Sequence, residues 1–275
     1  MLSETKRILI LCKTYPSPSA KYVETSCVAG MDETGALIRL FPVPFRLINS
    51  DAQQFKKWQW IRAQVRKTND DHRPESHRIS IDTIEVLGDP LSTKNEWAQR
   101  HEAIKSVEVF DDYDALELAR HARGITLGLL RPTRITDIEI TKSETSEWTA
   151  DDVAKLMQAQ TQGSLFDQET EQRSLKLLKK LPFDFHYRYE CMVNNAPKSY
   201  KNKLVDWEAG ALYWNVHWRS DWEAAFRQRF LTDFANRNVL FLMGTIHRFP
   251  NQWLIVSVLY LPKPQHEVTG QALLF

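Results

Sequence analysis

The chain has 275 residues, of which 43% are hydrophobic, 26% charged and 11% aromatic, with 9 glycines and 12 prolines. This composition excludes a largely disordered protein and leaves room for one large domain or two small ones. The formal charge of +1, from 36 basic and 35 acidic groups, argues at face value against a polyanion partner.

The charge is blocked along the chain. Residues 1–67 carry 11 basic and 5 acidic groups, residues 68–81 carry 2 and 3, residues 82–171 carry 9 and 19, and residues 172–275 carry 14 and 8. Two basic ends flank an acidic middle, and a binding site feels the local field rather than the total. Cys12, Cys27 and Cys191 are far apart, so no disulfide framework is expected and a reducing compartment follows. The longest apolar runs fall far short of the ~20 residues of a membrane helix. No small-residue cleavage site follows Lys6 and Arg7, so a cytoplasmic protein without a membrane partner is expected.

In chain order, Arg7–Cys12, Val23–Ala29 and Leu37–Phe41 read as strands separated by turn-rich segments. Pro42 and Pro44 stop the ladder, and Phe45–Lys57 reads as a short helix. Trp60–Arg66 alternates apolar and polar residues, as does His77–Leu87. Three strands, a short helix and two strands suit a five-stranded OB-type barrel over residues 1–90. A helical connector follows over 91–124, with Ser92 as a cap before Glu96–Ile104 and a second helix, Asp111–His121, closed by Gly124. Residues 125–275 then supply strands Ile125–Leu130, Arg134–Thr141, Phe183–Val193, Val239–Thr245 and Trp253–Leu261. Helices are expected at Asp151–Gln160, Val205–Asn215 and Ser220–Arg237, the last opened by the capping box Ser220–Glu223. Residues 161–173 are polar and turn-prone, and read as a mobile segment. The expected class is therefore mixed α+β and β-rich, with two OB-like five-stranded barrels and inserted helices.

Motifs for chemistry are sparse. No Cys-x-x-Cys, His-x-His or His-Glu-x-x-His spacing occurs, so no metal is expected, and His72 with His77 reads as a surface pair. Phosphate-cradling glycine loops and a serine-nucleophile elbow are absent, so neither cofactor nor enzymatic activity is expected. Asp111, Asp112 and Asp114 fit a helix start, where carboxylates favour the dipole.

Nucleic-acid binding is the stronger signal. Arg39, Arg46, Lys56, Lys57, Arg62 and Arg66 interleave with Trp58 and Trp60, and cations tracking phosphates beside aromatics that stack bases are how OB-folds hold single strands. The competing reading places the aromatics in the core and leaves the lysines as solvated surface. Lys198, Lys201 and Lys203 with Tyr200 read as a basic surface loop beside Asp206, Trp207 and Glu208. Arg73 and Glu75, fixed by Pro74, form either a ligand-recognition loop or a buried ion pair locking that loop. Gln162–Phe166 has the form of a Gln-x-x-Leu-Phe peptide that docks on the bacterial sliding clamp, but so short a match is explained better by an apolar pair packing on the barrel.

Taken together, Cys12-Lys-Thr-Tyr-Pro16, Lys21-Tyr-Val-Glu24, Ile38–Arg46, Trp60-Ile61, Asp71–Ser76, Leu181-Pro182, Asp206-Trp-Glu208, Gly244–His247 and Trp253–Ile255 resemble the bacterial dual OB-containing domain (DuOB) family over nearly the whole chain. The resemblance implies two OB barrels and nucleic-acid or nucleotide recognition, often beside anti-phage or mobile-element genes. It supplies no catalytic residues. The resemblance also implies further Cys or His near the position of Cys191 in some relatives, but Met192–Tyr200 offers none here, which leaves a zinc knuckle unsupported. The expectation is a non-catalytic sensor or adaptor that binds single-stranded or structured DNA or RNA in a bacterial defence or mobile-element complex, with a protein partner there. The alternatives are a scaffold for a partner enzyme and a small-nucleotide sensor.

Overall fold

The computed structural model describes residues 3–19, 23–43, 54–67, 71–145, 147–151, 153–154 and 179–263. Its first part is a closed barrel. Strands β1 (Glu4–Lys13), β3 (Val23–Asp32), β4 (Leu37–Val43), β5 (Trp60–Lys67) and β6 (Ser76–Ile79) pair in the ring β1-β3-β4-β6-β5-β1. All neighbours are antiparallel except β4 and β6, which run parallel through Arg39 opposite Ser76 and Leu40 opposite His77. Short β2 (Ser17–Ser19) and β7 (Glu85–Leu87) extend the edges beside β3 and β5.

The single strand expected over His77–Leu87 is broken. A 3-10 turn at Ile81–Thr83 separates β6 from β7, because the β5 residue Gln64 bonds to the turn instead of to a ladder. Its amide donates to Thr83 Oγ1 at 2.9 Å and its carbonyl accepts from Ser80 N at 2.9 Å. The short helix expected at Phe45–Lys57 falls largely outside the described residues, and residues 54–59 are non-helical.

β1 explains why the barrel does not stand alone. Its residues Ile8 to Cys12 are all buried, although a strand with one wet face would alternate. Ile8 and Ile10 point into the barrel with Val28, Ile38, Leu40 and Ile61. Leu9 and Leu11 point outward into a second core with Leu127, Leu129, Leu240, Leu242 and Leu259. Ala29 and Met31 of β3 join that layer, as do Ile104 and Val107 of the connector. The connector is thus part of the seam between the two sheets.

The second sheet follows the path β10-β11-β12-β14-β13-β9-β8. It contains β8 (Val109–Phe110), β9 (Leu127–Leu130), β10 (Arg134–Lys142), β11 (Phe183–Val193), β12 (Ala196–Leu204), β13 (Arg237–Thr245) and β14 (Trp253–Pro262). Among the described residues no pairing closes it, so the expected second closed barrel is not seen. Among the described residues the main helices are α1 (Ala98–Ile104), α2 (Tyr113–Arg123), α3 (Trp207–Val216) and α4 (Trp222–Phe230). Asp112 caps α2 by accepting from Ala115 N at 2.6 Å, and Gly124, at φ 71°, ends it as the sequence indicates.

The expected Ser220–Glu223 capping box does not form. Asp221 sits at the helix start without a side-chain cap bond, its carboxylate paired with Arg219 at 2.7 Å. Ser92 is likewise not a cap, since the α1 region opens as a 3-10 turn at Asn95–Trp97 with Asn95, Glu96 and Trp97 at positive φ. The segment of Lys198, Lys201 and Lys203 is not a loop but strand β12. It pairs with β11 from Phe185 opposite Leu204 to Val193 opposite Ala196. The turn is Asn194-Asn195, both at positive φ, the geometry that favours asparagine in tight hairpins. The helix expected at Asp151–Gln160, the segment 161–173 and the Gln162–Phe166 peptide lie mostly or wholly outside the described residues. No helix among the described residues is long and apolar enough to cross a membrane.

Candidate functional site

The barrel and the second sheet enclose a cleft at the C-terminal end of β1. Thr14 bridges to Asp206, and Tyr15 N donates to Val205 O at 2.9 Å, so β1 runs directly into the segment that caps α3. Tyr15 stacks on Trp207 with ring centroids 5.7 Å apart. A Cβ at position 210 would lie 2.3 Å from the Tyr15 ring, so only glycine lets α3 approach this closely.

The cleft holds about 520 Å³, within the range of small-ligand sites. Four cations line it, Lys13, Lys56, Lys57 and Arg229, against the two carboxylates Asp206 and Glu208, with Trp207, Phe234 and Tyr260 as aromatic wall. Its floor is a buried ion-pair network. Lys57 Nζ lies 3.6 Å from Asp206 Oδ2, and donates to Glu208 Oε2 at 3.0 Å and Val258 O at 3.1 Å. Asp206 accepts from Glu208 N at 2.8 Å, Ser257 Oγ at 2.7 Å and Val258 N at 3.2 Å. Burial alone would push the Lys57 ammonium down, but the Asp206 and Glu208 carboxylates outweigh it and hold Lys57 above the ordinary lysine value. Burial lifts the Asp206 carboxyl, with Lys57 pulling against it.

Lys13 differs in kind. Its ammonium donates to Phe55 O at 3.1 Å and lies over the Phe55 ring, and burial lowers its pKa to about 8. Arg229 lies over the Tyr260 ring, donates to its hydroxyl at 2.7 Å and faces Asp233 at 3.6 Å. Lys56 is exposed at the rim.

The fold separates the residues that the sequence grouped. Arg39 is 2% exposed and therefore cannot reach a phosphate outside the fold. Its guanidinium donates to Thr126 O at 2.9 Å, Thr126 Oγ1 at 3.1 Å and Ser76 Oγ at 3.4 Å, joining the barrel to the strand entering β9. Trp58 is also buried, at left-handed φ 66°, with Arg100 stacked on it, so the core reading of this aromatic holds. Trp60 is half-buried under Arg7. Arg62 is exposed and paired with Glu85 at 2.7 Å, Arg66 is exposed, and Arg46 lies outside the described residues. Lys198 pairs with Asp114 at 2.7 Å, Lys203 with Asp184 at 2.7 Å and Lys201 with Glu139, while Tyr200 donates to Asp114 at 2.9 Å. Every lysine of that stripe therefore faces a carboxylate.

The 71–76 loop is a structural clasp of a different pairing than the sequence indicates. Arg73 pairs with Asp71 rather than Glu75. Glu75 accepts from Thr126 N at 2.7 Å, Thr126 Oγ1 at 2.6 Å and Leu127 N at 3.2 Å. Lys13, Arg229 and Tyr260 carried no local signal, because only docking of the barrel on the second sheet brings them together.

A closed barrel docked through an apolar seam on an open β-sheet, with a cationic and aromatic cleft where they meet, is the class this architecture defines. The chain belongs to the family described as "Domain of unknown function (DUF8757)", whose model matches residues 110–275. Residues 4–106 match a second one, "Domain of unknown function (DUF8758)". No curated protein matches the chain.

Proposed function

We propose that the protein is a non-catalytic binder of single-stranded nucleic acid that seats a nucleotide unit in the cleft between barrel and sheet. The observation that carries this reading is the excess of cations over carboxylates beside stackable aromatics in one concavity. Lysine and arginine attract phosphate, and an aromatic face holds a base for roughly 1–3 kcal/mol. The barrel's strand order, with its third and fifth core strands parallel, is compatible with an OB fold. The second sheet repeats the same path, β10-β11-β12-β14-β13, again with a parallel third-to-fifth pair. There β9 occupies the edge of β13 at which a barrel would close. This supports the DuOB resemblance, and with it a sensor or adaptor role in a bacterial defence or mobile-element complex.

A small-nucleotide sensor is the second reading, favoured by a volume that suits one nucleotide. Anisotropy titrations of a labelled single-stranded oligonucleotide, competed by mononucleotides, separate the two. Binding of the oligonucleotide with weak competition supports the first reading, and strong mononucleotide binding supports the second. Absence of both at low ionic strength overturns the cleft as a phosphate site.

A further inference from the structure

The loop after β5 and the hairpin between β13 and β14 meet at the other end of the seam. Asp71 and His72 come from the loop, His247 from the hairpin, and one ligand atom from each lies within 4.8 Å of the others. The two imidazoles stack with centroids 5.2 Å apart and planes 30° from parallel, and His247 Nε2 is 4.0 Å from Asp71 Oδ1. Both histidines are exposed, and among the described residues no hydrogen bond reaches the His72 ring.

The carboxylate is held in place from behind. Arg73 donates to Asp71 from Nε at 2.8 and 3.1 Å and from Nη2 at 2.6 Å, and its backbone amide adds a bond at 3.1 Å. The same buried guanidinium donates from Nη1 to Thr245 O at 2.9 Å, two residues before His247. One side chain therefore orients the carboxylate and fixes the strand end that carries the second imidazole. Hydrogen-bonded support of this kind accompanies ligating carboxylates in metal sites. His77, the neighbour that sequence spacing offers to His72, instead turns its Nδ1 to Glu75 O at 2.9 Å.

We propose that Asp71, His72 and His247 form a zinc site that clasps the barrel loop to the second sheet, with a solvent-facing position left for water. Two imidazoles and one carboxylate are a zinc donor set, whereas magnesium and calcium favour oxygen alone. Tetrahedral ligation at ~2.0–2.2 Å places neighbouring donors roughly 3.4 Å apart. The three groups must therefore draw together, which exposed imidazoles accomplish by side-chain rotation.

The test is uptake of zinc chloride by tag-free, chelator-treated full-length protein, followed by calorimetry, with cobalt absorbance as a second readout. We expect one zinc per chain, with His72→Ala and His247→Ala each weakening affinity by about tenfold or more. His77→Ala leaves it unchanged. Since both ligating histidines are exposed, the metal-free thermal midpoint of these variants stays at that of the parent protein. Failure to saturate, or equal affinity in the parent, His72→Ala and His247→Ala proteins, overturns the site. Zinc uptake is read without nucleotide, so its failure is separate from failure of the cleft.

Discussion

Lys57 Nζ and Asp206 Oδ2 lie 3.6 Å apart, joining the barrel to the cap of α3, with the Lys57 side chain 13% exposed and that of Asp206 3%. Neither charge has enough water to stand alone, and each needs the other to stay buried. The cleft floor is consequently a structural lock as well as a source of field.

Removing one partner should be far costlier than removing both. Lys57→Met leaves Asp206 buried with its carboxylate uncompensated, and a loss of about 3–5 kcal/mol is expected. Lys57→Met with Asp206→Leu removes both charges and should recover much of that loss. Urea denaturation of the single and double variants measures the difference.

Lys13 gives the cleft a pH dependence near neutrality. Its folded pKa is about 8 against the ordinary 10.5, so between these values the unfolded chain holds the extra proton. Stability contributed at Lys13 therefore rises as pH increases through that window. Compared with Lys13→Met, the parent protein should gain stability from pH 8 to 10.5. Anion affinity should do the opposite, falling as Lys13 loses its charge above pH 8. Denaturation and binding titrations at pH 7, 8 and 9 check the two signs.

Glu75 is the principal polar link from the barrel loop to the strand entering β9, accepting three bonds from Thr126 and Leu127. Glu75→Ala strands donors at a partly buried seam, at about 1–3 kcal/mol for each one left unsatisfied. Increased amide exchange at Thr126 and Leu127 should accompany the loss of stability.

The β12 lysines are expected to matter less than the cleft cations. Lys198, Lys201 and Lys203 already face Asp114, Glu139 and Asp184, and exposed pairs are worth about 0–1 kcal/mol. Replacing all three by alanine should change stability little and lower oligonucleotide affinity less than Lys56→Ala with Arg229→Ala does. Parallel anisotropy titrations compare the two variants.

Alternation in Trp60–Arg66, a side-chain period of two, and the short apolar run at Ile8–Cys12, which marks a strand covered on both faces, make these barrel strands legible. The β12 strand reads as a loop in the sequence because its lysine-rich run lacks the branched residues that usually mark a strand, and the turn signal Asn194-Asn195 goes unused. Arg39 shows the opposite difficulty. A lone arginine between apolar neighbours looks like a surface cation until Thr126 and Ser76, distant in sequence, enclose it. Asp206-Trp-Glu208 was visible as a motif, but Lys13, Arg229 and Tyr260 became its neighbours only through the seam. The same applies to His72, whose neighbouring imidazole, His247, comes from the other end of the chain.

Salt dependence of single-stranded oligonucleotide binding tests the central claim most directly. Each phosphate neutralised contributes a slope of about −0.7 to the plot of log affinity against log salt. The cleft account predicts a steep negative slope for the parent protein, made shallower by roughly 1.4 when Lys56 and Arg229 are both replaced by alanine. A slope unchanged by that double substitution, or binding insensitive to salt, would contradict it.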